Sequence, residues 1–412
     1  MNATVPVQAA GIGAPGGTRA AGVVVLAGVC AALHLGKLPP AIDALRAGLG
    51  LTLVEAGFLL SLIQLAGMSI GAIFGAVVDG LGARRSMITG LVVLALASAV
   101  GGVAPSPAVL MATRAIESFG FLLVALPGPG LVRQLVPPGA LAHMLGLWGA
   151  YLPFGMAVAL LLGPVAIEAL GWRAWWFGLA AVTLAMAALV VRRVPTLPRP
   201  PAGGGVAARL RFTLGAPGPW LAALCFATYS SQWLAVIGFL PTIVAPVVGT
   251  GLAVGVLTAL AAAVNTVGNV AAGRLQHAGV APLRLLRIGF VTMALASVAA
   301  FAAVGGLSLP APLRFVAVLV FSLVGGMIPA TLFTVALKLV PGEAAVATTF
   351  GWVQQWSSIG QFAGPPIVAL IASRSGGWEW TWLFNVLAGG TGLLLVAAMA
   401  RRLRPAPLAR GG

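Results

Sequence analysis

Apolar residues dominate this chain in long blocks, interrupted only by short segments that carry Pro, Gly or Arg. A helix needs about 20 mainly apolar residues to cross the hydrocarbon core of a bilayer, and block after block meets that length. The pattern predicts an all-α membrane protein with twelve transmembrane helices. The first six cover 21–44, 57–78, 87–103, 108–131, 144–167 and 174–191. The second six cover 220–247, 252–273, 288–304, 315–339, 345–371 and 382–399. The longest polar stretch, 192–219, separates the two sets and reads as a linker. The expected organisation is an N-terminal tail (1–20), a six-helix bundle (21–191), the linker (192–219), a second six-helix bundle (220–400) and a C-terminal tail (401–412). The tails and the linker are placed in the cytoplasm.

Composition agrees: 60% of the residues are hydrophobic and 7% charged, against about 25% charged in a soluble domain. The net charge of +16 would suit nucleic acid only if the basic residues shared one face or tail. They occur instead singly or in pairs between spans, so no nucleic-acid partner is expected. Arg84, Arg85, Arg133, Arg192, Arg193, Arg274, Arg284, Arg287, Arg401 and Arg402 fall on the side of the termini. Lys37, Arg46, Arg173, Arg314 and Arg374 fall on the other. Positive residues accumulate in cytoplasmic loops, so both termini are expected in the cytoplasm and the chain in the inner (plasma) membrane. Cys30 and Cys225 sit inside apolar blocks and are expected to be reduced, packed thiols.

The two halves echo each other. Gly163-Pro164 followed by Trp172, Trp175 and Trp176 is answered half a chain later by Gly364-Pro365 followed by Trp378, Trp380 and Trp382. Repeated halves, here with expected pseudo-twofold symmetry, are a feature of secondary transporters. After the second span the chain reads Gly75, then Asp79, Gly82, Arg84 and Arg85, which resembles the loop signature of the major facilitator superfamily. Gly80 and Ala83 replace basic residues of that signature. Arg114-Ala-Ile-Glu117-Ser-Phe-Gly120 is similar to a second superfamily motif, with Glu117 and Ser118 in place of Gln and Gly. The resemblance implies that Gly75, Asp79, Gly82, Arg84 and Arg85 form a conformational latch, and that spans one and four line a central solute path. Leu38 to Ile42 and Gly238 to Ile243 resemble the superfamily's cyanate and nitroimidazole permease group, with Pro39 and Phe239 departing from its pattern.

An ionisable group within the membrane is a functional candidate by default. His34 and Lys37 share a helix face, as do Arg114 and Glu117, and both pairs fall in the outer half to middle of their spans. Lys37 and Arg114 can attract an anion, Arg114 as a fork suited to carboxylate, while Glu117 or His34 exchanges a proton. Each has a plainer reading: Lys37 snorkelling to the interface, Arg114 and Glu117 as a structural ion pair, His34 as a packing residue. The second half offers neutral polar groups, Tyr229 and Gln232 in span seven, Asn265 and Asn269 in span eight, Gln354 and Gln361 in span eleven. These can bind solute or join helices. Prolines 127, 129, 153, 241, 365 and 366 interrupt spans and permit bending.

No nucleophile triad, metal-ligand cluster or phosphate loop is present in the sequence. No enzymatic activity, cofactor or metal is therefore expected, and the partners are a small-molecule solute and the lipid bilayer, with the chain acting as a monomer. The expected function is proton-coupled secondary transport of a small organic or inorganic anion by alternating access. Efflux of a drug-like compound and a non-transporting receptor or scaffold are the alternatives.

Overall fold

The computed structural model describes residues 17–71, 81–197, 206–303, 308–341 and 346–403. Among these the fold is helical throughout. Helix α1 (Gly17–Gly36) passes through a 3-10 turn at Pro39–Ala41 into α2 (Ile42–Leu49), and the three form one 33-residue candidate span. Helix α3 (Leu53–Ser61) opens on a capping box, in which Thr52 Oγ1 accepts from the Glu55 amide and Glu55 accepts from the Thr52 amide. That exchange satisfies donors which a helix start would otherwise leave free. Next come α4 (Ala83–Gly102), α5 (Pro107–Ala125), α6 (Gly128–Leu135), α7 (Pro138–Gly149) and the 43-residue α8 (Tyr151–Arg193).

The remaining helices are α9 (Val206–Gly215), which occupies part of the expected linker, α10 (Pro217–Val248), α11 (Leu252–His277) and α12 (Pro282–Phe301). They are followed by α13 (Ala311–Gly325), α14 (Met327–Leu339), α15 (Val346–Ser375) and α16 (Thr381–Arg402).

Ten segments among the described residues are long and apolar enough to cross a membrane. The difference from the twelve expected lies in two places. The fifth and sixth spans are counted together in α8, which Gly171, with φ of 80° and ψ of 161°, breaks into two helical segments between 167 and 174. Only glycine takes such a conformation without strain. The eleventh span is the 30-residue α15, long enough to cross, in which Gln354, Gln355, Ser357, Ser358 and Gln361 dilute the apolar character.

Packing repeats between the halves. The start of α1 meets the end of α6, where a Cβ on Gly17 would fall against the Leu135 carbonyl; the start of α10 meets the end of α14 in the same way, Gly218 against Leu339. Gly155 on α8 lies against the Val29 carbonyl of α1, and Gly360 on α15 against the Ala227 carbonyl of α10. Small residues at such crossings let helix backbones approach closely where lipid supplies no hydrophobic drive. Between the halves, α3 packs on α15 and α8 packs on α11. An axis that exchanges the halves carries one of these contacts into the other.

The ends of the bundle differ. On the side opposite the termini, Leu38, Ile42, Leu45, Leu59, Leu60, Trp172 and Trp176 close into one buried cluster with Phe239 and Ala369 of the second half. On the terminal side the halves part around a cavity.

Candidate functional site

Two polar sites occupy different depths. The first is a charge cluster in the half of the bundle away from the termini. Glu117 on α5 accepts from Lys37 Nζ at 2.5 Å through one carboxylate oxygen and from Arg114 Nη1 at 2.7 Å through the other. Lys37 also donates to Ser98 Oγ at 2.9 Å and lies 3.4 Å from His34 Nδ1. An ammonium has only donors, so His34 Nδ1 is the acceptor and Nε2 carries the proton, which it donates to Thr183 Oγ1 at 2.7 Å. Thr183 in turn donates to the Leu179 carbonyl, and the Cys30 thiol lies 3.4 Å from the same hydroxyl. Arg114 Nη1 donates to the His34 carbonyl at 2.7 Å.

All four predicted members, His34, Lys37, Arg114 and Glu117, are thus brought together, and each is 0% exposed. With His34 neutral the cluster holds two cations and one carboxylate. The excess cation has the Trp176 ring 4.8 Å from Lys37 Nζ, a cation–π contact strengthened by the absence of water. Lys37 does not snorkel to the interface. Sequence reasoning missed Ser98, Trp176 and Thr183. Thr183 had a signal, being the lone hydroxyl in its apolar span.

The second site is a cavity of about 660 Å³ nearer the terminal side. Its walls differ. Residues of the first half contribute mainly apolar surface, with Ile63, Phe121, Leu122, Trp148 and Leu152. The second half contributes Tyr229, Asn265, Asn269, Gln354 and Gln361 alongside Phe226, Trp233 and Phe333. Four of the predicted pathway residues, Tyr229, Asn265, Gln354 and Gln361, therefore share this wall. Gln232 does not: it is 0% exposed, its amide donates to the Thr228 carbonyl at 2.8 Å, and its side-chain oxygen is buried with no partner among the described residues. The charge cluster does not reach the cavity either, and among the described residues no ionised side chain lines it. Gln64, which sequence reasoning missed, donates across the halves to Gln361 at 3.0 Å at the cavity floor. It is the lone amide of its span.

Residues 24–350 match the Major Facilitator Superfamily. The chain belongs to this superfamily. Relatives within it include the puromycin resistance protein pur8 of Streptomyces alboniger, 30% identical over 194 residues, which are 46% of this chain and 38% of that protein. The tetracenomycin C resistance and export protein of Streptomyces glaucescens is 27% identical over 126 residues, 29% of this chain and 23% of that protein. The chain thus matches well under half the length of these relatives. Among solved structures, a bacterial homologue of the human lysosomal transporter Spinster, in an inward-facing and unoccupied conformation, has a TM-score of 0.79 at 16% identity. The match covers 95% of this chain and 99% of that one. These relatives lend no support to a place in the cyanate and nitroimidazole permease group.

Of the superfamily loop signature, Gly75 and Asp79 lie outside the described residues. Gly82 precedes α4 with φ of 83°, a conformation that suits glycine. Arg84 caps the end of α8, donating from Nε to the Val194 carbonyl at 2.6 Å and from Nη2 to the Val191 carbonyl at 2.7 Å. A guanidinium there satisfies orphan carbonyls and complements the helix dipole. In this conformation Arg84 binds within its own half, and Arg85 is exposed.

Proposed function

We propose that this superfamily member is a proton-coupled secondary exporter of neutral, aromatic, drug-like compounds. It works by alternating access in the inner membrane, with both termini cytoplasmic and the cavity open towards the cytoplasm. One observation carries the solute class: among the described residues the cavity presents aromatic rings, amides and hydroxyls but no ionised side chain. Small-molecule sites are largely apolar, with a few polar groups that fix orientation, and this wall matches a solute that is neutral and partly aromatic. A small anion, the class expected from Lys37 and Arg114, would have to be drawn in by cations that already bind Glu117, are fully buried and do not line the cavity. The direction of transport is supported by the relatives, whose names record resistance and export.

The buried cluster suits the coupling role. Glu117 and His34 are proton-binding groups joined to each other through Lys37, so a proton taken by Glu117 would release Lys37 from its partner. Everted membrane vesicles with an acid interior test the proposal. A labelled neutral aromatic amide should accumulate, and a protonophore should collapse the gradient of label. Accumulation of small anions alone would return the anion reading, and binding without accumulation would identify a receptor.

A further inference from the structure

Resting on the reading of a neutral aromatic solute, the hydrogen-bond directions at the cavity wall specify one chemical group on that solute. Asn265 Nδ2 lies 2.9 Å from the Ser322 carbonyl and 3.0 Å from Tyr229 Oη. A carbonyl oxygen only accepts, so the atom facing Ser322 is the amide NH2, and the same NH2 faces Tyr229. Asn269 fixes the other end. Its Nδ2 donates to the Asn265 backbone carbonyl at 3.1 Å, again an obligate acceptor, and to Asn265 Oδ1 at 3.2 Å. Both amides are thereby oriented by backbone carbonyls.

Tyr229 Oη is consequently an acceptor towards Asn265, and its own proton must point elsewhere. Among the described residues it finds no protein acceptor, while the ring lines the cavity and is 5% exposed. Around it the wall is aromatic: Phe226 lies parallel to Tyr229 at 12°, with centroids 6.1 Å apart, and Phe333 packs edge-on against Phe226. Trp233 adds a third ring, held by its indole N–H on Ser322 Oγ at 3.0 Å. On the same wall Gln361 is already engaged, donating to Ser357 Oγ and accepting from Gln64.

We propose that the Tyr229 hydroxyl, oriented by Asn265, is a specificity-determining donor for a carbonyl oxygen carried on a flat aromatic solute. Asn265 is its positioning residue. A site built to donate to an acceptor discriminates against the analogue that lacks it, because the donor is then left unpaired in a desolvated place.

The test uses a pair matched in shape, 9-fluorenone and fluorene, which differ by a carbonyl in place of a methylene. Binding of each to the purified full chain is measured by equilibrium dialysis. The wild type should favour the ketone by about three- to tenfold, the worth of one net hydrogen bond. Tyr229→Phe, which keeps the ring and its packing, should bind both at the fluorene affinity. The outward-facing control Leu394→Ala should keep the preference. Equal binding of both compounds by the wild type, or a ketone preference that survives Tyr229→Phe, overturns the donor role and leaves the proposed function standing. Binding of neither compound by the wild type removes the neutral-aromatic reading and this inference with it.

Discussion

At the scale of single residues, Glu117 governs the interior of the first half. Each of its oxygens meets a different cation, Lys37 at 2.5 Å and Arg114 at 2.7 Å, and neither cation can reach water. Removing one member of a buried ion pair leaves an uncompensated charge and costs about 3–5 kcal/mol. Glu117→Gln should therefore lower the thermal unfolding temperature of the purified protein sharply, since it strands two cations. Adding Lys37→Met to Glu117→Gln should recover part of the loss, so that the two changes are strongly non-additive in a double-mutant cycle. Additive effects would show that the cations are not held by Glu117. The sequence made this cluster legible because charge is rare within a membrane span, so four such residues on two helices were candidates to meet. Helix periodicity could not show that the cluster stands apart from the cavity. Nor could it show that Ser98, Trp176 and Thr183 reach the cluster from neighbouring helices, none of them lining the cavity.

At the scale of helices, backbone proximity at glycine decides how the bundle closes. A Cβ on Gly360 would lie 2.2 Å from the Ala227 carbonyl oxygen and 2.8 Å from Ser230 Oγ, and one on Gly155 would lie 2.6 Å from the Val29 carbonyl oxygen. Backbone cannot yield as a side-chain tip does, so Gly360→Ala and Gly155→Ala should each destabilise by about 1–3 kcal/mol, the usual cost of overpacking. Gly22→Ala, on α1 with nothing within 4 Å of the added methyl among the described residues, should not destabilise. Thermal unfolding of the three variants checks this ordering. Helix existence was legible from apolar block length, and the break expected between the fifth and sixth spans falls where Gly171 interrupts α8. The Pro- and Arg-rich linker, by contrast, gave no apolar signal for α9. The polar face of α15 was readable as a stripe of Gln and Ser, yet the role of Asn265 depends on carbonyls of other turns that no linear pattern reveals.

At the scale of the whole molecule, the side opposite the termini is held shut by contacts between halves. Thr242 Oγ1 donates to Asp43 at 3.3 Å, and Thr250 Oγ1 donates to Glu168 at 3.0 Å. The Glu168 carboxylate sits so close to Gly251 that a Cβ there would meet it at 2.2 Å. Beneath these, Leu60 packs on Gly238, and Phe58 lies edge-on to Phe362 with centroids 6.4 Å apart. Alternating access requires this face to part as the cavity side closes. Exposed hydrogen bonds are individually weak, so loss of one should shift the equilibrium rather than abolish closure. Glu168→Ala should raise the labelling of Leu60→Cys by a membrane-impermeant maleimide added from outside, by about twofold to tenfold for a shift near 0.5–1.4 kcal/mol. Cys30 and Cys225 are buried, which keeps the background low.

The converse experiment fixes the face closed. Asp43 and Thr242 touch through their side chains although 199 residues separate them, one at the end of the first span and the other at the end of the seventh. A short bis-thiol linker joining Asp43→Cys to Thr242→Cys should stop transport while leaving solute binding from the cavity side intact, because the cavity is bounded by residues at the other end of the bundle. Cleaving the linker should restore turnover. Transport that continues through the linked protein would mean that solute leaves by a route other than the parting of these two helices. Retained binding with arrested transport would place the moving interface between the halves, along which α3 packs on α15 and α8 on α11.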